Sequence, residues 1–206
     1  MVYQISRELV RRGHNVSVYT SDAKRSNLDE RVGKLSENVE GISILHFRNT
    51  SSRLVRRIGF IRTPEMRETL EHEGENFDLI HVHEARGHQH IVVWHIARKK
   101  GLRYVMQAHG ILEEKGGLHR RMYDFIYGSR ILKDASMNVA LNESEAEHYM
   151  AMGVPENRIV VIPNGVDLTE FSNLPPRDSF KKKFCLDERE RIVLYLGRIH
   201  KTKGID

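Results

Sequence analysis

The candidate reactive groups of this sequence are histidines at the ends of two apolar runs. His83 ends the run 78–83 and precedes Glu84, and His109 with Gly110 follows the run 103–108. An imidazole titrates near neutral pH, and a glycine beside it lets the backbone approach a ligand closely. His109 is therefore predicted to hydrogen-bond a hydroxyl or a phosphate oxygen. The alternative is a histidine that caps the next segment.

A second candidate site lies at the end of the chain. The apolar run 192–196 predicts a buried strand and leads into Gly197, and Arg198 and Lys203 follow within a short loop. Backbone amides at such a glycine turn can approach a phosphate, and two cations can converge on one diphosphate. This segment is predicted to form half of a phosphate site; the alternative is a solvated basic turn.

Closely spaced histidines raise the question of a metal site. His81 and His83 lie two residues apart on a predicted strand and so point to the same face, and His88 and His90 follow. Zinc needs three or four ligands with supporting partners, and no cysteine or carboxylate completes a set. We predict no metal: His81 packs within the strand, while His83 and Glu84 turn toward a cleft.

An arginine-rich segment, residues 48–67, carries six arginines and one acid among interleaved apolar residues. The arginines are Arg48, Arg53, Arg56, Arg57, Arg62 and Arg67. A basic, partly amphipathic stretch of this kind can rest on an anionic membrane or hold a phosphorylated acceptor. A solvated loop is the alternative.

Composition indicates a globular protein. The chain has 206 residues, of which 39% are hydrophobic, and a formal charge of +5, which suits phosphorylated ligands, lipid surfaces or nucleic acid without choosing among them. Cys185 is the one cysteine, which excludes an intrachain disulfide and favours a reducing compartment. No apolar run reaches the ~18 residues of a spanning helix. We predict a cytoplasmic protein, with contact at the inner membrane face as an option.

Helices and strands alternate along the chain, and they must position these groups. Strands are predicted at 16–20, 42–47, 78–83, 103–108, 136–141 and 159–162, and helices at 1–12, 64–74, 88–100, 118–134 and 144–152. Alternation of this kind predicts an α/β fold on a doubly wound parallel sheet. Ligands bind beyond the carboxyl ends of such strands, so His83, His109 and Asn142 are expected to line one rim.

The predicted domains are incomplete at both ends. Residues 1–166 read as one domain, 167–190 as a polar connector with a short helix near Phe180, and 191–206 as the beginning of a second domain. A doubly wound domain normally begins with a strand, whereas this chain begins in a helix. We therefore expect that an opening strand and most of a second domain are missing from it.

Five motifs in order resemble the GT-B glycosyltransferases of family 4. They are RGHNVSV at 12–18, DLIHVH at 78–83, AHG at 108–110, IPNGVD at 162–167, and LGR at 196–198 with Lys203 and Gly204. The resemblance covers essentially the whole chain. It implies a Rossmann-like N-terminal domain facing a second Rossmann-like domain, of which only the first strand is here.

The resemblance also implies a reaction and its residues. A sugar passes from a nucleotide sugar, such as a UDP- or GDP-sugar, to a glycan, lipid or small-molecule acceptor, with retention of configuration and without a metal or other cofactor. His109 would be catalytic, beside the donor sugar. The donor would contact Asn164, Gly197, Arg198 and Lys203, and the acceptor His83, Glu84, Gly110 and Asn142. The chain alone is expected to be inactive, since the acidic donor motif lies beyond Asp206.

Two other functions remain open. One is a GT-B nucleotide-sugar epimerase, which needs no acceptor. The other is a non-catalytic module that binds anionic membranes or another polyanion through the arginine-rich segment. As a glycosyltransferase, the protein would have a nucleotide sugar and an acceptor as partners, and no nucleic acid is expected.

Overall fold

The computed structural model describes residues 1–23, 31–33, 35–50, 61–113, 117–176, 178–187, 189–197, 199 and 204. The chain divides into two compact units, residues 1–164 and 165–206.

The first unit begins with an amphipathic helix and a small sheet. Helix α1 (Val2–Arg11) leads into β1 (Val16–Ser21), β2 (Ser36–Val39) and β3 (Ile42–Phe47). The strand order is β1-β3-β2, with β1 parallel and β2 antiparallel to β3. Strand β2 was not predicted, because its residues, SENV, are mostly polar. It is joined to β3 by a two-residue turn whose backbone φ is positive at both residues, as a tight hairpin requires.

Four parallel strands form the second sheet. They are β4 (Ile80–His83), β5 (Tyr104–Gln107), β6 (Met137–Ala140) and β7 (Ile159–Val161), paired in that order. Helices connect them: α2 (Pro64–Glu73) precedes β4, α3 (His88–Lys100) joins β4 to β5, and α6 (Glu143–Ala151) joins β6 to β7. The predicted α/β fold with a Rossmann-like parallel sheet is confirmed.

The connection from β5 to β6 is one helical run with a local change of pitch. It consists of α4 (Leu118–Tyr123), a π-helical turn (Asp124–Gly128) and α5 (Ser129–Asp134). The sequence predicts a single helix over 118–134, and apolar spacing does not reveal the extra residue of a π turn. Shorter 3-10 turns occur at Gly74–Asn76, Ile111–Glu113, Glu156–Arg158 and Leu168–Phe171.

The core lies between the strands and the helices that connect them. Helix α3 buries one apolar side, including Trp94 and Ile96, and α2 contributes Met66 and Leu70. Helix α3 ends at Gly101, whose φ of +69° gives the left-handed C-cap typical of glycine. These helices share one apolar core with residues of β4, β5 and β6.

The second unit has little regular structure among its described residues. Helix α7 (Ser179–Lys183) lies where a short helix is predicted near Phe180. The prediction of a strand at 192–196 is wrong: these residues form no strand, and Val193 and Leu196 are 97% and 91% exposed. A strand needs hydrogen bonds to a neighbour, and the described part of residues 165–206 offers none.

Candidate active site

Strained backbone marks the rim at the carboxyl ends of β4 and β5. Glu84 (φ 68°), Arg86 (φ 62°) and His109 (φ 56°) adopt positive φ although none is a glycine, and Gly110 follows with φ 78°. Such conformations cost free energy and cluster at functional sites. The predicted rim therefore coincides with the part of the sheet where the chain is held in unfavourable conformations.

Two histidines from adjacent strands meet at this rim. His83 is the last residue of β4, and its Nδ1 lies 2.9 Å from Nε2 of His109, just beyond β5. The two rings are stacked, with centroids 5.2 Å apart and planes 13° apart. His81 extends the group, its ring centroid 4.1 Å from that of His83. The structure thus joins His83 and His109 in a hydrogen-bonded pair that sequence spacing does not predict.

The paired imidazoles are held neutral. The pKa of His83 is lowered to about 3, first by burial and then by the neighbouring His81 and His109. Burial also lowers the pKa of His109, while the carboxylates of Glu145 and Glu84 act in the opposite direction. At neutral pH one ring nitrogen of the pair therefore donates the hydrogen bond and the other accepts it.

A buried carboxylate joins the ends of β5 and β6. Glu145 is fully buried, and its Oε1 and Oε2 accept hydrogen bonds from the backbone N–H groups of Gly110 (2.6 Å) and Leu141 (2.7 Å). Asn142 is the N-cap of α6, and its Oδ1 accepts the N–H of Glu145 at 2.9 Å. Bonds from N–H groups to an ionised carboxylate are short and strong. Glu145 thereby fixes the turn that presents His109.

Sequence reasoning missed Glu145. An asparagine followed three residues later by a glutamate is a helix-start signal, so Asn142 and Glu145 could have been recognised as a cap. The hydrogen bond from Gly110 to the Glu145 carboxylate could not have been predicted, because Gly110 lies 35 positions away in sequence from Glu145. Only the parallel pairing of β5 and β6 brings the two together.

His90 in α3 and Arg86 in the loop after β4 have structural partners. His90 is buried; its Nδ1 accepts the N–H of Gly87 (3.0 Å), which leaves Nε2 to donate to the carbonyl of His83 (3.2 Å). Arg86 forms a bidentate ion pair with Asp124 at 2.9–3.1 Å. The Arg86–Asp124 pair holds the β4 loop, residues 84–87, against the π turn. Among the residues that the structure describes, no group of three histidines, cysteines or carboxylates could hold a metal ion.

The predicted site residues divide into three groups. His83, Glu84, His109 and Gly110 lie on one rim, and Asn142 lies beyond the neighbouring strand, where it caps a helix. Asn164 is exposed at the end of the first unit and Gly197 is exposed in the second. Arg198 and Lys203, together with Arg53, Arg56 and Arg57, lie outside the described residues. The donor contacts therefore stay predictions.

The fold is that of a Rossmann-like domain, a class in which ligands bind at the carboxyl ends of the parallel strands. The sequence model of Glycosyltransferase Family 4 matches residues 1–170, and the chain belongs to this family. In the described part of the chain, no helix has the length and apolar character needed to cross a bilayer.

Curated relatives agree with the family. The D-inositol 3-phosphate glycosyltransferase of Gordonia bronchialis is 26% identical over 213 residues, which cover 100% of this chain and 46% of the relative. The uncharacterized glycosyltransferase MJ1607 of Methanocaldococcus jannaschii is 27% identical over 207 residues, covering 96% and 50%. The chain spans about half the length of these relatives.

Solved structures share the fold. The Anabaena protein Alr3699/HepE in complex with UDP superposes with a TM-score of 0.51 over 71% of this chain and 37% of that one, at 17% identity. Its complex with UDP-glucose gives a TM-score of 0.50 at 16% identity. At this level of identity the similarity concerns the fold.

Proposed function

We propose that the protein takes part in sugar transfer from a nucleotide-sugar donor to a hydroxyl group of a glycan, lipid or small-molecule acceptor, with retention of anomeric configuration. Membership of Glycosyltransferase Family 4 and the names of the relatives support this. The Anabaena structures, bound to UDP and to UDP-glucose, support a uridine nucleotide sugar as the first donor to test.

The observation that carries the proposal is the neutral His109 on a strained, fixed turn. Sugar transfer passes through a state with positive charge at the anomeric carbon. An imidazolium at that point would repel this charge, whereas the half-buried, neutral ring of His109 can hydrogen-bond a sugar hydroxyl without opposing it. Because His83 and Glu145 hold the ring and its turn, little reorganisation is needed when the donor binds.

The other predicted contacts complete the proposed site. His83, Glu84, Gly110 and Asn142 are assigned to the acceptor side. Asn164, Gly197, Arg198 and Lys203 are assigned to the donor, where the two cations would stabilise the leaving nucleotide diphosphate as its negative charge develops. No metal is required in this scheme, because the cations take the place of a divalent ion.

The test is an assay of the protein expressed from its complete reading frame. Release of nucleoside diphosphate from UDP-, GDP- and ADP-sugars is measured with a panel of acceptors. We expect His109→Ala to lower kcat by at least about 100-fold, and His72→Ala, which removes an exposed histidine from α2, to leave it unchanged.

Three outcomes would count against the proposal. Absence of diphosphate release with every donor and acceptor would refute transferase activity. A product of inverted configuration would refute retention. Interconversion of sugar nucleotides in the absence of any acceptor would assign the site to an epimerase instead.

A further inference from the structure

An apolar stripe lies on the outer face of α4 and the π turn. Leu118, Met122 and Phe125, which we call the 118–125 stripe, are 76%, 56% and 84% exposed. They are four and three positions apart, a spacing that places side chains next to each other on one helix face. Contiguous exposed side chains of this size commonly mark an interaction surface.

Positive charge flanks this stripe. Arg121 is exposed beside it, and Arg130 is exposed further along the same helical run. Asp124 is the only acid between residues 117 and 132, and its carboxylate lies 2.9 Å from the Arg86 guanidinium, which neutralises it. Over residues 117–132, all of which the structure describes, the surface therefore offers apolar side chains and arginines, and its one carboxylate is paired with Arg86.

We propose that the 118–125 stripe docks on an anionic lipid surface. Apolar side chains on one face of a helix enter the boundary between headgroups and acyl chains, while flanking cations contact lipid phosphates. This surface is separate from the arginine-rich segment 48–67.

The charges argue against other occupants. A symmetric contact with a second copy would bring the Arg121 side chains of both copies together, and residues 117–132 offer no unpaired acid to neutralise them. Nucleic acid would use the cations but would leave the three large apolar side chains without a partner. A lipid surface satisfies both features at once.

The stripe is attached to the rim of the candidate active site. The Tyr123 hydroxyl donates to the carbonyl of Gly87 at 3.0 Å. Arg86, which belongs to the same β4 loop, forms an ion pair with Asp124. A docked α4 would therefore hold this rim at the lipid surface. Lipid binding can be measured without any reaction, so its outcome and that of the sugar-transfer assay are independent.

The test is co-sedimentation of the protein with vesicles. We expect binding to equimolar phosphatidylglycerol and phosphatidylcholine, little binding to phosphatidylcholine alone, and weaker binding as salt increases. The double variant Leu118→Ser, Phe125→Ser should lower the partition coefficient at least about tenfold by removing apolar contact. Arg121→Glu should lower it by about 10- to 30-fold at low salt.

Matched controls separate this face from general charge and hydrophobicity. Leu79→Ser removes another half-exposed apolar side chain, from the residue just before β4, and Arg11→Glu reverses an exposed cation at the end of α1. Both should bind like the unaltered protein, with folding of all variants checked by circular dichroism. Equal binding to both vesicle types, no binding, or equal losses in the controls would overturn the proposal.

Sedimentation velocity and oligonucleotide binding complete the test. If Leu118→Ser with Phe125→Ser abolished a dimer or an RNA complex instead of vesicle binding, the stripe would belong to that partner and the proposal would be wrong.

Discussion

Replacing Glu145 with glutamine should loosen the turn that carries His109. The carboxylate accepts the N–H groups of Gly110 and Leu141, at 2.6 and 2.7 Å, and is fully buried. An amide has one acceptor oxygen, so one N–H would lose its partner and face an NH₂ group. A buried donor left unpaired costs about 1–3 kcal/mol, and the remaining bond loses its charge assistance, so we expect about 3 kcal/mol of destabilisation.

Glu143→Gln is the matched control. Glu143 lies in the same first turn of α6 and is exposed, so its replacement removes the same interaction with the helix dipole but no buried hydrogen bond. The free energy of unfolding is measured by urea titration, and exchange of the Gly110 and Leu141 amide protons by NMR. Glu145→Gln should accelerate exchange at one or both amides, whereas Glu143→Gln should not.

The same variant should also change the titration of His109. The Glu145 carboxylate favours the imidazolium, so its removal should lower the pKa of His109 further below the ordinary value. A histidine titration followed by NMR measures this shift. If Glu145→Gln were no more destabilising than Glu143→Gln, or if the pKa of His109 rose, the assigned role of Glu145 would be refuted.

Three further predictions concern neighbouring residues. Asn142→Ala should cost about 1 kcal/mol in urea unfolding by removing the cap of α6, and Asn142→Asp should restore it. The pKa of His83 falls from 6.5 to about 3 on folding, so the unfolded chain binds this proton first and stability declines as pH falls through that window. His83→Gln should remove up to about 1.4 kcal/mol per pH unit of this decline, and an unchanged slope would contradict it. Arg86→Met should cost about 3 kcal/mol by leaving Asp124 unpaired, and adding Asp124→Leu should recover much of the loss in thermal melts.

Much of the fold could be predicted from local patterns. Predicted and observed bounds differ by at most two residues for the strands of the parallel sheet and for helices α2, α3 and α6. The spacing of apolar residues indicates the buried face of each element, and flanking glycines indicate where it ends. The positions of His83 and His109 at strand ends follow from the same reasoning. Strand β2 could not be predicted, since it is polar and depends on pairing with β3.

The segment 192–196 fails in the opposite way to β2: its sequence predicts a strand, and the structure has none there. Its apolar residues satisfy the local preference for a strand, but the described residues of the second unit provide no neighbour with which to pair. Local preference cannot compensate for missing hydrogen-bond partners, so the expectation fails there.

The sequence by itself determined the alternation of helices and strands, the edge of the sheet at which His83 and His109 lie, and the family, because these depend on residue types that lie near each other in the chain. The tertiary structure alone decided how the site is held together. The hydrogen bond between His83 and His109 joins residues 26 positions apart. The hydrogen bond from the Gly110 N–H to Glu145 joins residues 35 positions apart. Such contacts form only when parallel strands set distant segments side by side, and no local pattern encodes that distance.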